Sequence, residues 1–217
     1  MGCEIPTQKE TGGKFLHLKI CIDKGMATTA TSNDLTLTNH NAKINDLVKF
    51  DSVAANTVIN TTDYYYVVAI VDANKVEISN TKGGTAIVFD ATGVPTGSLY
   101  TGLGGIRSKE FALASEAIDI TNQDSDEWKE VLDEAGQKSA TVSGSGVYNS
   151  SAAFLEMETK FLANKIVHLL FVDLKNARGY LGFFKLTQLS ASGEYNGEGQ
   201  FSISAESSGP VTVIDPV

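Results

Sequence analysis

The segment from Arg107 to Trp128 constrains the fold most, because a regular alternation of side chains runs through its first half and then stops. Phe111 and Leu113 share one face with Lys109 and Ser115, while small or polar side chains occupy the positions between them. This period of two is typical of a half-buried β-strand. The polar run that follows is rich in Asp, Asn and Ser, which commonly cap helices. The segment therefore predicts a strand, a loop and the start of a helix.

A short second helix is predicted from Glu127 to Ala135, because its spacing is compatible with a helix until Gly136. It contains Trp128, the only tryptophan in the chain. Two roles are open for this residue. It anchors the short helix to a sheet, or it is a contact residue at an interface between proteins.

Most of the remaining chain also has strand patterning, so the sequence predicts a mainly β protein. The predicted strands are 15–22, 35–38, 47–50, 64–71, 75–79, 85–89, 138–148, 166–174, 180–192 and 200–206. An amphipathic helix is predicted at 152–164, capped by the polar residues 149–151. The Asn-Gly pair within 194–198 favours a tight hairpin turn. The expected fold is an antiparallel β-sandwich or partial barrel with one packed α-helix.

The domain organisation is predicted from a change of composition. Residues 26–105 are rich in Thr, Asn, Ala and Val, with frequent turn signals, and we interpret them as an inserted small β-module. Its end contains the glycine-rich stretch 101–105, interpreted as a linker. The sandwich domain then comprises 13–25 and 106–210. Residues 1–12 are expected to be a flexible N-terminal arm and 211–217 a C-terminal tail.

Charge and composition exclude several functional classes. The net charge is −9 and the pI about 4.8, which argues against a protein that grips nucleic acid through clustered Lys and Arg. The longest apolar runs fall short of the roughly 18 residues that a transmembrane helix needs, so no membrane insertion is expected. Cys3 and Cys21 are not expected to form a structural disulfide, which is compatible with assembly in a reducing cytoplasm.

No constellation of residues predicts catalysis, a metal or another cofactor. The oxygen-rich run from Asp119 to Glu127 lacks the central Gly and the spaced final Glu of an EF-hand loop. The three histidines are far apart in sequence, which disfavours a zinc site. The Gly144–Gly146 stretch is too short to be a nucleophile elbow and is interpreted as small residues at a close backbone approach. The protein is therefore not expected to be an enzyme.

Three separated motifs resemble the major tail protein family of long-tailed bacteriophages. They are Ile118–Glu130, Lys138–Gly146 and Gly193–Gly209, and together they span about half of the chain in order. The resemblance implies a tail tube subunit, with a β-sandwich and a flanking helix, that assembles into stacked and usually hexameric rings. DNA would pass through the resulting channel without specific binding during ejection. The implied partners are further copies of the chain and other tail proteins, such as the tape measure and the tail terminator. The implied location is the virion tail, with assembly in the host cytoplasm.

The resemblance also selects candidate site residues. In this family, the region that links the strand beginning at Arg107 to the short second helix often contacts neighbouring subunits, which implies subunit contacts at Asp119, Thr121, Asn122 and Trp128. The polar face of strand 200–206 is a candidate for the lumen lining, because short hydroxyl groups offer phosphate little to bind. The residues concerned are Gln200, Ser202, Ser204 and Glu206. The alternative for this face is an ordinary solvated surface. Six copies of a chain with net charge −9 carry about −54 per ring, which would repel DNA.

Two other functions remain open at this point. A virion-associated binding protein would recognise a host surface through the inserted β-module, and the tyrosine-rich strand at Tyr64–Tyr66 is its main support. An enzyme would require a pocket with perturbed titrating groups, which the sequence does not indicate.

Overall fold

A computed structural model describes residues 16–123, 125, 127–148, 151–173, 178–193 and 197–214. Across these residues there are twelve β-strands and one α-helix. Their bounds are β1 Leu16–Thr28, β2 Asp34–Leu37, β3 Leu47–Ser52, β4 Tyr64–Asp72, β5 Lys75–Ser79, β6 Thr96–Gly102, β7 Ile106–Ser115, β8 Lys138–Val147, α1 Ala152–Leu162, β9 Ile166–Asp173, β10 Arg178–Ser192, β11 Gln200–Ser207 and β12 Thr212–Ile214.

The strands form one sheet in the order β2-β5-β4-β3-β6-β1-β9-β10-β11-β8-β7, with β12 added beside β10. All of the described pairings are antiparallel. Because β2 also pairs with β1, strands β1 to β6 close into a six-stranded barrel. Alternating side chains fill its interior, and Phe50, Val67 and Leu99 are completely buried there.

Strand β1 belongs to both halves of the molecule. Its first part, Leu16–Ile20, pairs with β9, and its last part, Met26–Thr28, pairs with β2 in the barrel. Leu18 and Ile20 are buried in the core, as the sequence pattern predicts. Since one continuous strand contributes to both cores, the barrel and the remaining sheet are joined by backbone hydrogen bonds rather than by a linker.

The remaining strands, with β1, curve around the largest apolar core. Helix α1 packs on this core through the buried residues Phe154 and Met157, and the Ser151 hydroxyl caps it by accepting a hydrogen bond from the Phe154 N–H at 3.3 Å. Strands β7 and β1 are not paired. Instead, the Lys109 ammonium donates to the Leu16 carbonyl at 2.5 Å, so this half is a partial barrel with an open seam. None of the helical segments within the described ranges is long and apolar enough to cross a membrane.

A buried ion pair joins the two halves on the opposite face of β1. The Lys19 ammonium contacts the Asp46 carboxylate at 3.0 Å and the Asn45 carbonyl at 2.8 Å. The Lys19 side chain is 3% exposed and that of Asp46 is 5% exposed. Burial lowers the pKa of Lys19, while the charge and hydrogen bond of Asp46 act in the opposite direction. The β2–β3 loop of the barrel is therefore held against the shared strand.

Several local predictions were wrong. Residues 85–89 form no strand, although Phe89 is buried in the barrel and the Ile87 N–H still bonds to the Ile78 carbonyl. The segment interpreted as a linker at 101–105 contains the end of strand β6, which lies between β3 and β1. The last three described residues, 212–214, form β12 rather than a tail. The predicted Asn-Gly turn and Cys3 lie outside the described residues. The interpretation of 26–105 as an insertion stays a prediction, and its first boundary falls within β1.

Candidate functional site

Strands β7, β8, β11 and the distal half of β10 form a four-stranded sheet with two open edges. In the described pairings, β7 bonds only to β8 along its whole length. Strand β10 pairs with β9 only as far as Lys185, so Gln188–Ser192 bonds only to β11. Each open edge presents backbone N–H and C=O groups that lack a neighbouring strand. Such a sheet can be extended by another strand on both sides.

The outward face of this four-stranded sheet consists mainly of small hydroxyl side chains, and we call it the hydroxyl face. Its members on β7 and β8 are Ser108, Glu110, Ala112, Ala114, Ser139, Thr141, Ser143 and Ser145. Its members on β10 and β11 are Gln188, Ser190, Ser192, Gln200, Ser202, Ser204 and Glu206. All of these side chains are exposed or half-buried. The alternate side chains of β11, Phe201, Ile203 and Ala205, are buried in the core.

Neighbouring side chains on the hydroxyl face bond mainly to one another. The Ser190 and Ser202 hydroxyl oxygens are 2.6 Å apart, and the Ser143 hydroxyl donates to the Glu110 carboxylate at 3.5 Å. Glu110 and Glu206 are the two carboxylates of the face, and Lys185 of β10 lies directly opposite Glu206 in the register. The face therefore offers a mobile anion few cationic groups to bind.

The four predicted lumen residues, 200, 202, 204 and 206, all lie on the hydroxyl face, as one of its four rows. The other three rows were not predicted from the sequence. Their signal was present, because Ser, Thr and Ala occupy the same alternation in β7 and β8. The sequence did not show that these strands pair with one another in a register that places Ser204 opposite Ser143. Whether the face lines a lumen stays a prediction.

The segment 116–137 between β7 and β8 is called the arm, and its described residues form an extended hairpin. The Glu116 N–H donates to the Gln137 carbonyl at 2.9 Å, and further along the Leu132 N–H donates to the Ile118 carbonyl at 2.9 Å. Near its tip, the Thr121 hydroxyl accepts from the Glu130 N–H at 2.9 Å. Backbone bonds and side-chain bonds thus continue the β7–β8 ladder outward from the sheet.

The arm has no helix in its described residues, so the prediction of a helix at 127–135 was wrong. The backbone of Glu130 and Leu132 bonds across the hairpin instead of along the chain. Glu127 and Glu134 adopt positive φ angles of 67° and 58°, which interrupt a right-handed helix. Gly136 also has a positive φ, and a Cβ there would come within 2.0 Å of the Glu116 carbonyl oxygen.

The arm exposes an unusual amount of apolar side chain. Trp128 is 80% exposed, so it does not anchor an element to the sheet and that interpretation was wrong. The other exposed apolar residues of the arm are Ile118, Ile120, Val131 and Leu132. A cluster of this kind on a projecting segment indicates a contact with another molecule. Asp119, Thr121 and Asn122 also lie on the arm, where Asp119 accepts the Thr121 N–H at 2.9 Å. Their role in subunit contact stays a prediction.

The described residues offer little to chemistry. No group of three or more His, Cys, Asp or Glu side chains in those ranges could hold a metal ion. His168 stacks on Phe183 with ring centroids 4.5 Å apart, and burial lowers its pKa. Cys21 is buried, and burial raises the pKa of its thiol, which makes it a poor nucleophile. The surroundings of His168 and Cys21 are those of structural residues rather than of catalytic ones.

Two of the three tyrosines in the tyrosine-rich strand are buried, and Tyr64 is half-buried. Tyr65 is 1% exposed and Tyr66 is 3% exposed. The Tyr65 hydroxyl accepts the Asn60 N–H at 2.8 Å inside the module. These rings stabilise the barrel, so they are not available to a ligand.

Comparisons with known proteins agree with this geometry. The family model described as phage tail tube protein matches residues 76–213. Among solved structures, a chain from the tail of an empty GTA particle, computed with helical refinement and C6 symmetry, is 23% identical. The match covers 53% of this chain and 86% of that one, with a TM-score of 0.51. A chain from the virion of a native gene transfer agent particle is also 23% identical, covering 53% of this chain and 88% of that one, with a TM-score of 0.50. No curated protein sequence gave a match.

Proposed function

The chain belongs to the phage tail tube protein family and is a structural subunit of a tail tube, and from that premise we propose how it builds the tube. Copies of the chain close into rings by pairing the open β7 edge of one copy with the open distal edge of β10 in the next. The observation that carries this proposal is the four-stranded sheet with two open edges, which lies within the matched residues 76–213. Joining edges satisfies their backbone groups and leaves no exposed strand.

The ring contains six copies, and the rings stack. The C6 symmetry reported for the similar GTA tail supports this number, and a heterologous contact that closes after six steps leaves two free ring faces for stacking. In that arrangement the hydroxyl face of each copy lines the channel. The apolar core lies behind it, and the barrel of β1 to β6 lies on the outside of the tube.

DNA passes through this channel without specific binding. The hydroxyl groups and the carboxylates of Glu110 and Glu206 give phosphate no cationic partner, Lys185 lies opposite the Glu206 carboxylate, and the acidic chain adds a repelling field. The remaining partners are other tail proteins, namely a tape measure inside the tube and a terminator at its end. The subunit assembles in the host cytoplasm, acts in the virion and has no catalytic role.

Tube formation can be tested with the purified full chain. The only tryptophan, Trp128, lies on the arm and serves as a fluorescence probe of contacts there. We expect rings and tubes by negative-stain electron microscopy as the protein concentration rises. Over the same range, Trp128 should move from 80% exposure into a contact, which shifts its emission to shorter wavelength and protects it from acrylamide quenching. Particles that remain monomeric at every concentration would contradict the proposal. If rings form but the Trp128 emission does not shift, ring closure is supported and the arm is not part of the contacts.

A further inference from the structure

A cleft lies at the junction between the barrel and the remaining sheet, beside the buried ion pair of Lys19 and Asp46. Its volume is about 370 Å³, near the lower end of the range for sites that bind small molecules. Strand β1, the β2–β3 loop, the segment after β5 and the end of β6 all contribute to its walls. The cleft shares no residue with the hydroxyl face or the arm.

The cleft is basic although the chain as a whole is acidic. Three lysines, Lys19, Lys43 and Lys82, line it against one carboxylate, that of Asp46. With His17 neutral, the lining therefore has a net charge of +2, in a chain whose net charge is −9. Within the described residues, the Lys43 and Lys82 ammonium groups make no hydrogen bond or ion pair. Two of the three cations thus lack an anion.

The Asp46 carboxylate is already occupied by its own neighbours. It accepts from the Lys19 ammonium at 3.0 Å and from the Lys43 N–H at 2.8 Å. The Gly102 N–H is a third donor, at 3.4 Å. Asp46 therefore compensates Lys19 and cannot also neutralise the two lysine side chains beside it.

Lys19 is the buried part of this site. Its side chain is 3% exposed, and its ammonium donates to the Asn45 carbonyl and to the Asp46 carboxylate. An ammonium group has three N–H donors, and among the described residues only these two groups accept from it, so one donor remains for an acceptor in the cleft. The charge of Lys82 is near enough to lower the pKa of Lys19, in the same direction as burial. An anion between the two ammonium groups would replace this repulsion with attraction.

We propose that the cleft binds a phosphate dianion, either free or as the monoester of a small molecule, between Lys19, Lys43 and Lys82. A dianion matches the net charge of +2 of the lining. The lysines act as point charges and suit a compact tetrahedral anion, whereas a planar carboxylate is matched best by the fork of an arginine. Ile44, which is 52% exposed, and the buried Leu103 offer apolar contacts to the organic part of a monoester.

The bound anion connects parts of the chain that are distant in sequence. Lys43 belongs to the β2–β3 loop and Lys82 to the segment between β5 and β6, while Lys19 lies on the strand that the barrel shares with the remaining sheet. Phosphate should therefore hold both barrel segments against β1 and stabilise the folded chain by mass action. The site lies within one copy, so this inference does not depend on tube formation.

Isothermal titration calorimetry of the purified full chain tests the site, at constant ionic strength and about pH 7, where a phosphate monoester carries close to two negative charges. Inorganic phosphate and glycerol 3-phosphate should each bind saturably, with one site per chain. Lys43→Gln and Lys82→Gln should each weaken binding by about tenfold or more, because each removes a charge-assisted hydrogen bond. Both side chains are exposed, so the variants should keep the fold of the unchanged chain, which circular dichroism checks.

Lys165→Gln is the matched control. It removes the same charge from an exposed side chain just before β9, at the end of that strand remote from Val172, which pairs with His17. Its affinity for phosphate should equal that of the unchanged chain. Equal losses in Lys165→Gln and Lys82→Gln would overturn the inference, because they would reflect general attraction to a less acidic chain rather than a site.

Comparing ligands identifies the source of the phosphate. Tighter binding of glycerol 3-phosphate than of inorganic phosphate would support the site with a monoester as its ligand, and binding of inorganic phosphate that is as tight or tighter would support it with the free ion. Tighter binding of succinate, a dicarboxylate, than of either phosphate would overturn the ligand class. The absence of saturable binding by both phosphates would overturn the site itself.

Discussion

Single buried polar residues hold the barrel against the shared strand β1, and Lys19 is the clearest case. Replacing Lys19 with Met should lower the free energy of unfolding by about 3–5 kcal/mol, because it leaves the Asp46 carboxylate buried without its cation. Adding Asp46→Asn should recover part of that loss. The amide removes the unpaired charge yet keeps an oxygen that can accept the Lys43 N–H, which the Asp46 carboxylate accepts at 2.8 Å.

Urea unfolding at neutral pH measures these differences. Lys24→Met on the same strand is the matched control, since Lys24 donates to the Asn39 carbonyl at an exposed site and should change stability little. A Lys19→Met protein as stable as the control would show that the buried pair does not hold the β2–β3 loop.

Buried tyrosines make stability depend on alkaline pH. Burial raises the pKa of Tyr64 from its ordinary value of 10 to about 12 and raises the pKa of Tyr100 as well. Above pH 10 the unfolded chain loses phenol protons that the folded chain keeps, so the unfolded state binds fewer protons and stability falls as pH rises through this window. Tyr100→Phe should make this fall in stability with pH shallower. Urea unfolding midpoints between pH 9 and 11 measure it, because this range brackets the ordinary phenol pKa of about 10. Tyr148→Phe, at a 43% exposed ring, should leave it unchanged.

In β1, the alternation in the sequence predicted the burial of one face better than that of the other. The leucine and isoleucine face of β1 is buried as expected, but Lys19 and Cys21 on the opposite face are buried too. A charged residue in an alternating strand normally indicates solvent. The partner that makes burial tolerable, Asp46, is 27 positions away, and local periodicity carries no information about such a distant pairing.

Among the elements, the β7–β8 pair depends on glycines that admit a close backbone. A Cβ at Gly146 would lie 2.1 Å from the Gly105 carbonyl oxygen and 2.6 Å from the Ile106 Cα, which confirms the predicted close approach. Gly146→Ala should therefore destabilise the protein by at least about 1–3 kcal/mol, because the atoms it meets belong to backbone. Gly102→Ala is the control, since Gly102 lies in β6 with no atom within 4 Å of an added Cβ.

Thermal unfolding of both variants gives the comparison. Equal melting temperatures for Gly146→Ala and Gly102→Ala would mean that β7 can move away from β8 at no cost. A loss confined to Gly146→Ala is expected also to reduce ring formation, because the displaced strand supplies one of the two open edges.

The strands and the helix α1 were largely predictable from the sequence, whereas the structure of the arm was not. The spacing of Trp128, Val131 and Leu132 suits a helix, but a helix needs a surface on which to bury that stripe. The single chain offers none, and the hairpin bonds hold these residues in the open. We propose that this stripe is buried against another molecule, which a sequence considered alone does not supply.

At the scale of the whole molecule, the barrel and the remaining sheet are joined through the shared strand β1. The sequence indicated two compositional regions, and their junction was expected to be a linker at 101–105. The structure instead runs β6 and β1 side by side from Lys19 to Gly25. Strand pairing between residues that are some 80 positions apart depends on the fold as a whole, so composition could separate the regions but not show how they are joined.

The hydroxyl face allows a direct test of what the assembled channel does. In the proposed tube, Ser204→Lys places six ammonium groups around each ring where the unchanged protein presents hydroxyls, and Ser143→Lys does so from the adjacent strand. Tubes of either variant should retain a short single-stranded oligonucleotide in a filtration assay, with retention that falls steeply as salt rises, because each lysine contacts phosphate. Val94→Lys adds the same charge to the barrel, where it should not contact DNA in the channel, and unchanged tubes should retain none. If Val94→Lys tubes retain as much oligonucleotide as Ser204→Lys tubes, the hydroxyl face does not line the path that DNA follows.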